Sequence, residues 1–98
     1  MIPRDKNPDY LNSFLDYSIT ILNKSPNSVK EYNYDLTNFF RFIMIRFNMT
    51  NEDDPEKIDI TQFTTDDLKK ITLEECMYFA SLGMYFIVKD GKIKGFTR

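Results

Sequence analysis

The sequence predicts an all-α fold, a small bundle of four helices. Apolar residues recur at spacings of three and four in three segments, and helix-start residues stand in front of them. Outside the last dozen residues no stretch reads as a strand, which places the chain among helix-on-helix architectures.

The first helix is expected from about Pro8 to Leu22, with Asn7 as its cap and Leu11, Phe14, Leu15, Ser18, Ile19 and Leu22 on its inner side. The connector Asn23-Lys24 is short, so the first two helices should be neighbours. The second helix is the longest, Pro26 to about Phe47. Ser25 can cap it through its hydroxyl, and Pro26 sits at the first helical position, where a missing N–H costs nothing. Val29, Tyr32, Leu36, Phe40, Ile43 and Phe47 form its apolar stripe, with Tyr32 at the core edge because its hydroxyl needs a partner. Asn27, Lys30, Tyr34, Asn38 and Arg41 fall opposite and mix amide, cationic and aromatic groups, as a helix facing a polyanion would. Asp35, on the flank, suits a hydrogen bond or salt bridge. Phe42 and Ile45 lie off the stripe and would pack against a further helix or a partner domain.

Asn48 to Thr61 is acidic, holds Pro55 and reads as a loop. Thr64 or Thr65 opens a short third helix whose Asp66 and Asp67 complement the helix dipole. Thr72 and Glu75 have capping-box spacing and open a fourth. Its stripe, Leu73, Cys76, Met77, Ala80, Met84, Ile87 and Val88, favours helix to about Val88, with residues 89–98 as a tail. A hairpin from Tyr85 to Phe96, turning at Lys89-Asp90-Gly91-Lys92, is the competing reading.

Ninety-eight residues suffice for one domain with a modest core, and nine Phe, six Tyr and no Trp make that core aromatic. The lone Cys76 forms no internal disulfide. The longest apolar run, Met84 to Val88, is too short to cross a bilayer, and the N-terminal residues lack a signal peptide's apolar region. A cytoplasmic protein without membrane contact is expected. Formal net charge is −2 but uneven: residues 23–49 sum to +2, residues 50–76 to −6 and residues 77–98 to +3. Two positive segments thus flank an acidic one.

Several chemistries are excluded. Without His the commonest general base and zinc ligand are missing, and the three Gly build no phosphate-binding loop. The cluster Glu52-Asp53-Asp54-Pro55-Glu56 lacks the spacing of a calcium loop and reads as solvated. Asp66 and Asp67, adjacent on a helix, point apart. No catalytic residue, metal ligand or cofactor site is expected, and the chain is not an enzyme by itself.

The run Ser25-Pro26-Asn27-Ser28-Val29, then Tyr32, Asp35-Leu36 and Phe39-Phe40, resembles the N-terminal core-binding domain of tyrosine recombinases, the phage-integrase and Xer-type family. Ile71-Thr72-Leu73-Glu74-Glu75 is similar to the start of that domain's next long helix, and Tyr10-Leu11 with Phe14-Leu15 occupy the place of its first. The resemblance spans about residues 8–82, with Ser28 where the family usually has Thr. It implies a compact SAM-like bundle of four or five helices forming half of a clamp on double-stranded DNA at a recombination half-site. It also implies a separate catalytic domain of the same parent chain, absent from this sequence, and other recombinase protomers as partners. None of the six Tyr is the family's nucleophile on this reading. The chain stops at Thr97-Arg98, where the family's next helix opens, so a fragment is expected. The carried-over DNA-contact candidates are Lys24, Ser25, Asn27, Ser28, Lys30, Tyr34 and Arg41. Ser25 and the helix N-terminus would hold a phosphate, with Arg41 on the backbone. The basic tail, Lys89, Lys92, Lys94 and Arg98, either touches phosphate or only solubilises. The rival reading is an acidic helical protein-interaction domain that binds no nucleic acid.

Overall fold

A computed structural model of the protein describes residues 4–81, 86–89 and 91–95. These form two compact units, residues 1–63 and 64–98. The first unit holds a one-turn 3₁₀ segment (Arg4–Lys6), helix α1 (Asp9–Thr20), helix α2 (Pro26–Arg46) and two more 3₁₀ turns, Pro55–Lys57 and Ile60–Gln62. The second holds α3 (Thr65–Leu68), α4 (Leu73–Ser81) and an antiparallel hairpin of β1 (Phe86–Lys89) and β2 (Lys92–Gly95).

Both long helices stop at an asparagine with left-handed backbone, a conformation Asn tolerates better than other residues with a side chain. After α1, Asn23 has φ 52°, and the Lys24 N–H reaches back to the Ser18 carbonyl at 2.9 Å. After α2, Asn48 has φ 57°. Its N–H donates to Ile45 O at 3.1 Å, and Met49 N–H donates to Met44 O at 2.9 Å, a Schellman closure of the helix end. At the start of α2 the Ser25 hydroxyl accepts the Ser28 N–H at 3.1 Å, the cap expected there. Asn7 does not cap α1. Pro8 holds the cap position, and the Asn7 side chain turns inward instead.

α1 packs on α2 through Leu11, Phe14 and Leu15, and α2 buries Val29, Leu36, Phe39, Phe40, Ile43 and Met44. At its centre Phe40 is fully buried. Tyr10 meets it edge-on at 5.6 Å between ring centroids, Phe63 stacks on it at 5.6 Å, and Phe39 leans on it at 5.5 Å. The Tyr10 hydroxyl donates to the Phe63 carbonyl at 2.7 Å. The acidic segment is therefore more than a solvated loop. Asp54 and Asp59 cap its two turns, and Ile58, Ile60 and Phe63 carry it into the core. Ile19 and Leu22, expected inside, are 45% and 40% exposed because α1 ends at Thr20 and the chain turns away at Asn23.

A buried polar set accompanies this core. Asn7 Nδ2 donates to Asn33 Oδ1 at 2.8 Å and to Asn12 Oδ1 at 3.1 Å, and the Thr37 hydroxyl donates to the Asn33 carbonyl at 2.7 Å. Arg4 adds an outer layer, donating to Asn12 and pairing with Asp16 at 2.7 Å. The amides thus tie the N-terminal turn to both long helices.

In the second unit the capping box expected at Thr72 and Glu75 forms, and a second one that the sequence reading did not foresee joins Thr64 and Asp67. The Thr64 N–H donates to Asp67 Oδ2 at 2.8 Å, and the Thr72 N–H donates to Glu75 Oε1 at 2.9 Å. The hydrogen bond from the Thr64 backbone is the largest influence holding the Asp67 carboxyl below its usual pKa. Two expectations fail. Helix to Val88 gives way to a hairpin, because Asp90-Gly91 is a two-residue turn signal and Gly91 takes φ 72°, while the β-branched Ile87 and Val88 suit a strand. The expected α4 stripe is also wrong in part. Cys76 is buried, which raises its thiol pKa, but Leu73 and Met77 are 63% and 62% exposed. Glu75 is buried instead, because it folds back as a cap. Gly83, Met84, Tyr85, Asp90, Phe96, Thr97 and Arg98 lie outside the described residues.

The aromatic centre and the amide tie should separate by size in urea denaturation. Phe40→Ala is expected to cost about 3–5 kcal/mol. Asn7→Ala, which removes a buried donor from Asn33, is expected to cost about 1–3 kcal/mol.

Candidate nucleic-acid interface

With its inner side committed to the core, α2 presents a polar surface of defined layout. At 100° per residue, Asn27, Tyr34 and Asn38 run along the outer line of the helix. Lys30 and Arg41 lie to one side of that line, and Glu31 and Asp35 to the other. Asn27, Lys30 and Tyr34 are exposed, Tyr34 by 58%. Lys24 and Ser28 are half-buried at the helix start and Ser25 is exposed.

The cap limits what this terminus can offer an anion. Pro26 has no N–H, Ser28 donates to the Ser25 hydroxyl, and the Val29 N–H donates to the Ser25 carbonyl at 3.0 Å. Asn27 is then the first-turn residue whose N–H has no hydrogen-bond partner among the described residues. Asp35 has no hydrogen-bond or ion-pair partner among the described residues. Partial burial, followed by repulsion from Glu31, raises its carboxyl pKa. The acidic side of α2 therefore repels phosphate, and only the Lys30 side favours it.

Arg41 belongs to a different setting. It is half-buried and donates to Asn38 Oδ1 at 3.5 Å and to the Glu56 carbonyl at 3.3 Å. Its guanidinium lines a cleft of about 570 Å³ between the N-terminal turn and the 56–61 strap, with Lys6, Thr37 and Asp59. It is thus partly occupied in holding the strap, while Lys30 is exposed. Lys89, Lys92 and Lys94 are exposed on the hairpin of the second unit.

Sequence reasoning missed Asn7, Asn33 and Thr37 as structural groups. The one available signal was the four-residue spacing of Asn33 and Thr37 beside the stripe. Among the described residues no three His, Cys, Asp or Glu could hold a metal ion, and no described helix is long and apolar enough to cross a membrane.

Comparison with known proteins bears on the same segment. Over 77 residues, 78% of its length, the chain is 36% identical to tyrosine recombinase XerC of Caldanaerobacter subterraneus subsp. tengcongensis. The chain is similar to a Xer-type tyrosine recombinase over most of its own length. It spans about a fifth of the recombinase it matches, 22% of that protein's length. No protein-family model matches the chain, and no solved structure does. The described residues are mostly helical, as the sequence predicts.

The raised pKa of Asp35 has a signed consequence. The folded state holds this proton more tightly than the unfolded chain, so stability is lost as pH rises through the interval between the two values. Asp35→Asn should raise the melting temperature at pH 7, and its advantage should shrink as pH falls below the ordinary Asp range. Thermal melts at pH 7 and pH 3 check this.

Proposed function

We propose that this chain is a non-catalytic DNA-binding module of a Xer-type recombinase that grips duplex DNA at a recombination half-site through the outer face of α2. The observation that carries the reading is the coincidence of the XerC match with a helix whose exposed side holds Asn27, Lys30 and Tyr34. Strand cutting and rejoining would fall to a catalytic domain elsewhere in the parent chain, and other protomers would complete the assembly on DNA.

Within this reading Lys24 and the Asn27 N–H meet one phosphate at the helix start, supported by the helix dipole. Ser25 and Ser28 act mainly through the cap they share, since their hydroxyls are 3.0 Å apart. Lys30 meets the neighbouring backbone. Asn27 and Tyr34, on the outer line, are the groups placed to approach base edges or sugar. Arg41 contributes less, because Glu56 and Asn38 hold it toward the strap. Supported by one helix face, the isolated chain should bind at about 10⁻⁴ to 10⁻⁶ M with steep salt dependence.

A protein-interaction reading draws on one specific observation, the exposed Leu73, Met77 and Tyr78 of α4. The two separate cleanly. Fluorescence anisotropy with a labelled duplex should show Lys30→Glu weakening binding roughly tenfold or more, with Asn27→Ala weakening it less. Leu73→Ser should leave it unchanged. Loss of DNA binding on Leu73→Ser, with Lys30→Glu silent, would reject the α2 interface.

A further inference from the structure

The hairpin places three lysines on a single side. Lys89 pairs directly with Lys92 in the antiparallel register, and Lys94 stands two residues further along β2. Directly opposed residues share a face, as do residues two apart, so Lys89, Lys92 and Lys94 form one group. Spacings of about 5 Å across the strands and about 7 Å along β2 follow from sheet geometry. All three are exposed. The opposite side carries the pair Val88 and Ile93, buried and half-buried, which fixes the ribbon's outward side as the lysine side.

Two further details make this more than a basic tail. Gly91 in the turn is buried and lies against the aliphatic stem of Lys69: an added Cβ would come within 3.3 Å of both Cγ and Cε. The turn is thereby braced on a fourth lysine, whose ammonium is only loosely paired with Asp66 at 3.9 Å. Second, Lys89 opposite Lys92 is a like-charge cross-strand pair, an arrangement that weakens a free hairpin. A polyanion laid along this side would turn the repulsion into attraction. The segment 86–95 holds a single acid, Asp90, against the three lysines.

We infer that the β1–β2 hairpin is a phosphate-gripping ribbon, a second DNA-contacting surface that adds sequence-independent affinity to the half-site grip of α2. The inference rests on the DNA-binding reading above and extends it to a different element. Its partner is the sugar-phosphate backbone of duplex DNA, because ammonium groups on flexible stems neutralise charge without reading base edges.

The test is a salt series with the whole chain and two labelled duplexes of unrelated sequence. Each phosphate-contacting lysine contributes about one to the slope of log affinity against log salt. Lys89→Gln with Lys92→Gln and Lys94→Gln should flatten the slope by about three and weaken binding equally on both duplexes. The three corresponding Lys→Arg changes should preserve it. Amide shifts of Val88 and Ile93 check that the ribbon persists. If the triple change disturbs them, the single variants Lys92→Gln and Lys94→Gln carry the test, each with a slope change of about one. An unchanged slope in these variants, while Lys30→Gln weakens binding, overturns the ribbon and leaves α2 standing. A flattened slope with Lys30→Gln silent supports the ribbon and overturns the α2 interface. No binding by the unmodified chain at 20 mM salt overturns both.

Discussion

The first unit is organised around the burial of Phe40. This ring, with no exposed surface, is met by Tyr10 from α1 and Phe63 from the end of the strap, with Phe39 of its own helix beside it. Aromatic pairs at these separations contribute through area and through ring geometry. The cluster therefore fixes the rotation of α2 about its axis. Once that rotation is fixed, the direction of Asn27, Lys30 and Tyr34 is fixed too. The amide set built on Asn7 and Asn33 reinforces the same constraint, since a rotated α2 would leave buried polar groups without their hydrogen bonds.

Charge distribution completes the picture. The chain is acidic overall, but its charge is unevenly spread, with residues 50–76 at −6 and residues 77–98 at +3. On α2 the division runs along the helix, with Glu31 and Asp35 on one side of the outer line and Lys30 on the other. In the acidic segment after α2, Asp54 and Asp59 are engaged with backbone N–H groups of the turns they cap, and the hydrogen bond from the Thr61 side chain is the largest influence lowering the Asp59 pKa. Those carboxylates serve local structure. A net charge of −2 thus says little about the sign of the surface a partner would meet.

Much of the helical frame was readable in the sequence because strong local signals agreed. Ser25-Pro26 sets the start of α2, Thr64 and the Thr72–Glu75 pair set the next two starts, and the stripe through Leu36, Phe40 and Ile43 sets the buried side. Reading failed where two signals competed or where the deciding interaction was distant in sequence. Ile87 and Val88 fit a helical stripe and a strand alike, and the Asp-Gly turn signal decided for the strand. Leu73 and Met77 obey helical spacing but are exposed, because periodicity locates a face without saying whether anything covers it. Asn7 looks like a cap because caps are local, and its actual partner, Asn33, lies 26 residues away. Arg41 shares the outer side of α2 with Lys30, yet the strap that engages it could not be placed from sequence. Of the candidate site, the α2 positions were readable, whereas the common side of Lys89, Lys92 and Lys94 needed the strand register.

The central claim is that a helix locked by its aromatic core turns one chosen face toward duplex DNA. Amide chemical-shift mapping during titration of the chain with a duplex at low salt tests it most directly. The account predicts that shifts concentrate at residues 24–34 and reverse on adding salt, while Leu36, Phe40 and Ile43 stay in place. Shifts confined to the acidic strap or to the exposed side of α4, with residues 24–34 unmoved, would contradict it.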